Sequence, residues 1–155
     1  SQKWYQSIWS VNIIEQNSKD LIAYAALGNQ FTFGDFKLQL DYMLRATNRQ
    51  ALFKDYSIMG EASYTIADKV NIFGRMTYDV NNTTGAINDF CVMPDTELTR
   101  FGAGVEFYPM QSNMHFYLAF IGQSNFFTER AKAIGQKDYS TQRLSLGFIY
   151  QLPMF

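Results

Sequence analysis

Apolar and polar residues alternate with a period of two along most of the chain. Between Phe36 and Arg45, the residues Phe36, Leu38, Leu40, Tyr42 and Leu44 hold one parity, while Lys37, Gln39, Asp41, Met43 and Arg45 hold the other. Successive side chains of a strand point to opposite faces, so this spacing predicts a strand with one apolar and one polar face. The same alternation sets Tyr56, Ile58, Gly60, Ala62, Tyr64 and Ile66 against Ser57, Met59, Glu61, Ser63 and Thr65. It sets Val70, Ile72, Gly74, Met76, Tyr78 and Val80 against Lys69, Asn71, Phe73, Arg75, Thr77 and Asp79. Over 141–152, Leu144, Leu146, Phe148, Tyr150 and Leu152 oppose Thr141, Arg143, Ser145, Gly147, Ile149 and Gln151, and less regular versions run through 4–14, 21–33, 98–109 and 114–124. The pattern predicts eight strands of about ten residues, the length of a tilted strand that crosses a bilayer. No segment predicts a helix.

The connections alternate too. Gly34-Asp35, Ala67-Asp68 and the segment around Pro109 to Asn113 are tight, whereas the segments from Glu15, Ala46, Asn81 and Asn125 are longer. Short turns at one end and long loops at the other is the pattern of outer-membrane barrels, whose short turns are periplasmic. Both termini then lie on the periplasmic side. The aromatic Phe155 follows the last strand on the opposite parity to its outward residues, and Pro153 marks a candidate bulge that resets the register.

Composition decides which face is outside. The 155 residues, 1–155, suffice for one domain, with 47% hydrophobic and 17% charged residues against about 25% charged in ordinary soluble domains. Aromatic residues reach 17% and the formal net charge is −1, so no basic excess points to nucleic acid. A charge facing lipid at the midplane costs about 2–4 kcal/mol, and the strand charges keep to the polar parity. Phe36, Leu40, Tyr56, Ile72 and Leu146 are therefore expected on a lipid-facing surface. The soluble alternative is a lipocalin-like barrel with the apolar parity inside, which leaves the alternating loop lengths unexplained. No apolar run approaches the ~20 residues of a membrane helix. The chain starts at Ser1 without the basic and apolar regions of a signal peptide, and is expected to be a mature form or a fragment.

The segments LGNQFTFGDFKLQLDYMLRA and MPDTELTRFGAGVEFYP, and the closing LSLGFIYQLPMF, resemble the phosphate-selective porin O and P family, and the resemblance spans the whole chain. It implies an outer-membrane antiparallel β-barrel of about twice this length, with ~16 strands and a water-filled channel. The chain then looks like the C-terminal half of such a barrel. Bacterial outer-membrane lipid, small hydrophilic or anionic solutes and a homotrimeric assembly are the implied partners, with no cofactor.

Few residues suggest chemistry of another kind. With one cysteine, Cys91, and one histidine, His115, neither a zinc site nor a catalytic triad has enough members, and no metal or catalytic site is expected. Gly102-Ala103-Gly104 mimics the start of a dinucleotide fingerprint but lies in a strand. Asn82-Thr83-Thr84 is a chance sequon, and Asp89, Asp95 and Glu97, in the long loop before strand six, offer carboxylates for a divalent cation but lack the ligand spacing of a calcium loop and read as solvated charges. The informative set is the inward charge: Lys37, Asp41, Arg45, Glu61, Lys69, Arg75, Asp79, Arg100, Glu106 and Arg143 are the candidate pore-lining residues. Arg45, Arg100 and Arg143 fall at loop-proximal strand ends and are expected to share the outer mouth, either setting an anion bias or bracing the wall by pairing with carboxylates. The leading reading is a diffusion porin. The alternative is a small closed eight-stranded barrel, filled by its own side chains, with a structural or adhesive role. A third reading is a barrel lipid acyltransferase or phospholipase with His115 as base, but no serine–carboxylate pair stands beside it.

Overall fold

The computed structural model describes residues 4–16, 20–48, 52–81, 96–109 and 114–150. Eight strands form one antiparallel meander in the order β1 to β8: Tyr5–Gln16, Asp20–Phe33, Phe36–Thr47, Asp55–Ile66, Val70–Asn81, Thr96–Phe107, Met114–Phe127 and Tyr139–Tyr150. Every strand pairs with its sequence neighbours, and no ladder joins β1 to β8 among the described residues. The expected all-β architecture is therefore present as an eight-stranded sheet, with β1 and β8 at its edges among the described residues.

Two hairpins are closed by residues in the left-handed region. Gly34 has φ +60°, while Ala67 and Asp68 have φ +48° and +56° in a turn closed by the Lys69 N–H donating to the Ile66 carbonyl at 3.0 Å. Such turns twist with the flanking strands and fix their register. Lys69, expected on the strand wall, belongs to this turn. The β1–β2 connection, expected among the longer ones, shrinks to residues 17–19 because the strands continue to Gln16 and Asp20.

One helix interrupts the expected absence of helices. α1, Glu129–Ala133, lies between β7 and β8, and the Thr128 hydroxyl oxygen accepts from the Ala131 N–H at its start. The Phe127 N–H donates to Asp138 Oδ1 at 2.8 Å and Lys132 Nζ lies 3.2 Å from Asp138 Oδ2, so one carboxylate ties the helix to the strand before it. Phe127 bonding lowers the Asp138 pKa below the usual carboxylate range, with Lys132 adding to the effect, and the bond to Asp138 raises that of Lys132.

Burial separates the two faces. Along β6, Phe101, Ala103, Val105 and Phe107 are exposed, while the alternate Gly102, Gly104 and Glu106 are half-buried. Phe116, Leu118 and Phe120 of β7 are likewise exposed and their alternates half-buried. Crowding of side chains on a concave face produces that contrast, so the polar parity is the inner face and the apolar parity the outer one. Of the five side chains expected outside, Leu40, Ile72 and Leu146 are exposed and Phe36 and Tyr56 partly so. Buried hydrophobic residues among those described amount to Ile22, Val80, Phe127 and Ala131. A lipocalin-like barrel would instead bury its apolar parity, and that alternative fails here.

The strand ends drift across the sheet. Phe36 shares a cross-strand row with Tyr64, Ile72, Val105, Leu118 and Leu146. The β2–β3 hairpin closes on that row, at Phe33↔Phe36, but the β7–β8 ladder runs on to Met114↔Tyr150. This stagger is the one that strand tilt demands in a barrel wall. Three aromatic rings also lie over glycines directly opposite them, Phe73 on Gly104, Phe101 on Gly122 and Tyr117 on Gly147. Each ring covers backbone that the glycine leaves bare.

Candidate functional site

The register carries Lys37, Asp41, Arg45, Glu61, Arg75, Asp79, Arg100, Glu106 and Arg143 onto one face, the inner one. Most of these charges meet a partner there. Arg45 Nε and Nη2 lie 2.9 and 2.8 Å from Asp55 Oδ2, and both side chains are only 7% exposed. Arg75 binds Glu61 through Nε and Nη2. Arg100 Nη2 lies 2.9 Å from Asp79 Oδ2, and the Ser57 hydroxyl donates to the other oxygen of Asp79. Gln39 donates to Asp41 at 2.7 Å, and Glu106 accepts from Asn71 and Tyr108. Lys37 and Arg143 form no ion pair among the described residues.

Two zones follow. At the loop end, Arg45, Asp55, Thr96 and Phe127 lie on one row, and all are buried, as are Ile22 and Asn125 beside them. The Asn125 side chain is 1% exposed, and neither its Nδ2 nor its Oδ1 has a hydrogen-bond partner among the described residues. Further from the loops the face opens into a groove lined by Phe73, Arg75, Thr77, Arg100, Gln123 and Arg143. The arginines expected to share the mouth are thus divided. Arg100 and Arg143 join Arg75 in the groove, while Arg45 sits in the buried band. A guanidinium offers five donors in a fixed fork, so those of Arg75 and Arg100 keep donors beyond the ones their carboxylates use.

Residues 11–152 match the family described as phosphate-selective porin O and P. The chain belongs to that family. No curated protein and no solved structure matches it. Membership implies a channel rather than an enzyme, and a bacterial outer membrane, since the family is one of outer-membrane porins.

Set in a porin wall, the remaining sequence candidates fall into place or outside it. His115 lies on the inner face near the turn end, its ring 4.8 Å from that of Tyr108. Gly102 and Gly104 are strand residues of β6. Glu97, read as a loop charge, is in β6 on the outer parity, opposite Val80 and Phe126, where it accepts from the Tyr78 hydroxyl at 3.0 Å. Asn82, Thr83, Thr84, Asp89, Cys91, Asp95, Pro153 and Phe155 lie outside the described residues. No group of three or more metal-ligating side chains occurs among the described residues. Sequence reading missed Asp55 because it began the fourth strand at Tyr56, although Asp55, Ser57 and Met59 share a parity. Asn125 carried no signal, since nothing local to it shows that its environment is closed.

Proposed function

We propose that the chain forms part of the wall of an outer-membrane diffusion porin that passes small hydrophilic solutes with a weak preference for anions. The observation that carries this reading is the inner face itself: a face that gathers the paired and unpaired strand charges opposite an exposed apolar one, on a sheet whose edges β1 and β8 stay unpaired among the described residues. An eight-stranded barrel has room only for its own side chains, whereas a wall continued by further strands to ~16 encloses water. That β1 and β8 stay unpaired among the described residues supports the larger wall over the small closed barrel. The anion preference comes from the groove, where Arg143 adds a positive charge to two ion-paired arginines, and charged side chains along a pore set the sign of the preferred ion. Assembly as a homotrimer belongs to the same proposal.

Planar-bilayer recording of the full polypeptide tests it. Stepwise ohmic conductance, with a reversal potential displaced toward that of chloride in a potassium chloride gradient, is expected. Arg143→Gln should move the reversal potential toward the cation side while leaving the amount of folded protein unchanged. Folded protein that inserts without conducting would establish the closed, structural reading instead.

A further inference from the structure

The groove on the inner face joins two kinds of surface that inorganic phosphate does not need together. On one row Arg75, Gly102, Ile121 and Arg143 face one another across β5 to β8, and on the next lie Thr77, Arg100, Gln123 and Thr141. The row toward the turns is Phe73, Gly104, Ala119 and Ser145, all small except Phe73. The Phe73 ring is folded down over Gly104, with Cζ 2.7 Å from where a Cβ on that glycine would stand. The ring therefore presents its free face to the groove. Gly102, Ala119 and Ile121 continue an apolar floor beside it.

The charge count limits what this surface takes. Glu61 neutralises Arg75 and Asp79 neutralises Arg100, which leaves the charge of Arg143 uncompensated among the described residues. One uncompensated positive charge, spare guanidinium donors and an aromatic face match a singly charged carboxylate attached to a flat or branched apolar body. Phosphate near neutral pH carries more than one charge and would leave the ring and Ile121 in water. We propose that this groove is a transit site for monocarboxylates with an apolar body, the carboxylate held by Arg143 and Arg100 and the body laid on Phe73 and the floor. The proposal rests on the porin reading for its role in transport, but not for its chemistry.

The test uses the full polypeptide refolded in detergent, with 4-fluorobenzoate followed by fluorine NMR and its neutral isostere 4-fluorobenzamide as the control for partition into micelles. Saturable binding of the acid but not of the amide is expected, with inorganic phosphate displacing it only at far higher concentration. Arg143→Gln should weaken binding about tenfold, as loss of a charge-assisted hydrogen bond does, and Arg143→Lys should restore part of it. Phe73→Leu should weaken the acid several-fold without changing phosphate. In bilayers, benzoate should reduce the chloride current of the wild type more than that of Arg143→Gln. Binding that ignores Arg143, or phosphate that displaces the acid at equal concentration, overturns the proposal. A conducting channel without fluorobenzoate binding leaves the porin and removes the site, whereas Arg143-dependent binding without conductance does the reverse.

Discussion

Arg45 and Arg100 stand on the same face of the same sheet, each within 2.9 Å of an aspartate, yet the Arg45 side chain is 7% exposed and that of Arg100 50%. In the buried band, two charges have left water at a large desolvation cost that only their mutual attraction and further bonds offset. Neither can be lost alone. In the groove, water screens the pair, little stability hangs on it, and its unused donors remain available to a passing solute. One residue type thus serves the frame near the loops and the lumen further in.

The largest expected effect separates these zones. Arg45→Ala removes the ion-pair partner of a buried Asp55 and should cost about 3–5 kcal/mol, whereas Arg100→Ala should cost about 0–1 kcal/mol because its pair is half exposed. Urea unfolding of protein folded into lipid vesicles measures both. Equal losses would erase the distinction.

A second comparison sharpens the account of the groove floor. A Cβ at position 104 would meet the Phe73 ring at 2.7 Å and the Leu118 carbonyl oxygen at 2.8 Å, while one at position 74 meets only the Gly102 carbonyl oxygen, at 4.0 Å. Gly104→Ala should destabilise by about 1–3 kcal/mol through overpacking. Gly74→Ala should instead stabilise by about 0.5–1 kcal/mol, because alanine loses less backbone freedom in a strand. The same unfolding measurement gives both signs.

The smallest effect concerns α1, which lies beyond either zone. The folded pKa of Asp138 is depressed, so its contribution is full above the ordinary carboxylate value of about 3.9 and disappears as pH falls through the folded value. The folded pKa of Lys132 is raised, so its contribution is full below about 10.4 and disappears as pH rises beyond it. Between those limits the Phe127 amide should stay protected from hydrogen exchange, with protection falling only below about pH 4 or above about pH 10. Loss of protection near pH 6 would show that Asp138 is not the tie.

The period of two made β3, β4, β5 and β8 legible from sequence because it rests on local side-chain order alone, and the choice of inner face followed from the low charge content, the parity of the charges and the alternating loop lengths. What escaped depended on partners distant in sequence. β7 continues through Asn125-Phe126-Phe127, which reads as the start of the long loop, because β6 pairs with all three residues and β8 reaches Asn125. α1 is too short to nucleate by itself, and its cap at Thr128 and the tie through Asp138 do what propensity cannot. The charged residues could be assigned to a face, but not to one another. Pairing Arg45 with Asp55 and dividing it from Arg100 required the register, which turn geometry fixes.

The drift of strand ends across the sheet gives the arginines an order in time. Arg75 and Arg143 share a row three strands apart, about 14 Å at the usual strand spacing. With strands inclined at ~35–45°, that row climbs through the membrane, so the two differ in depth by roughly 10 Å, Arg143 nearer the loops. In the proposed porin, a solute descending the wall would meet Arg143 first and Arg75 later, as steps of a spiral stair rather than as members of one collar.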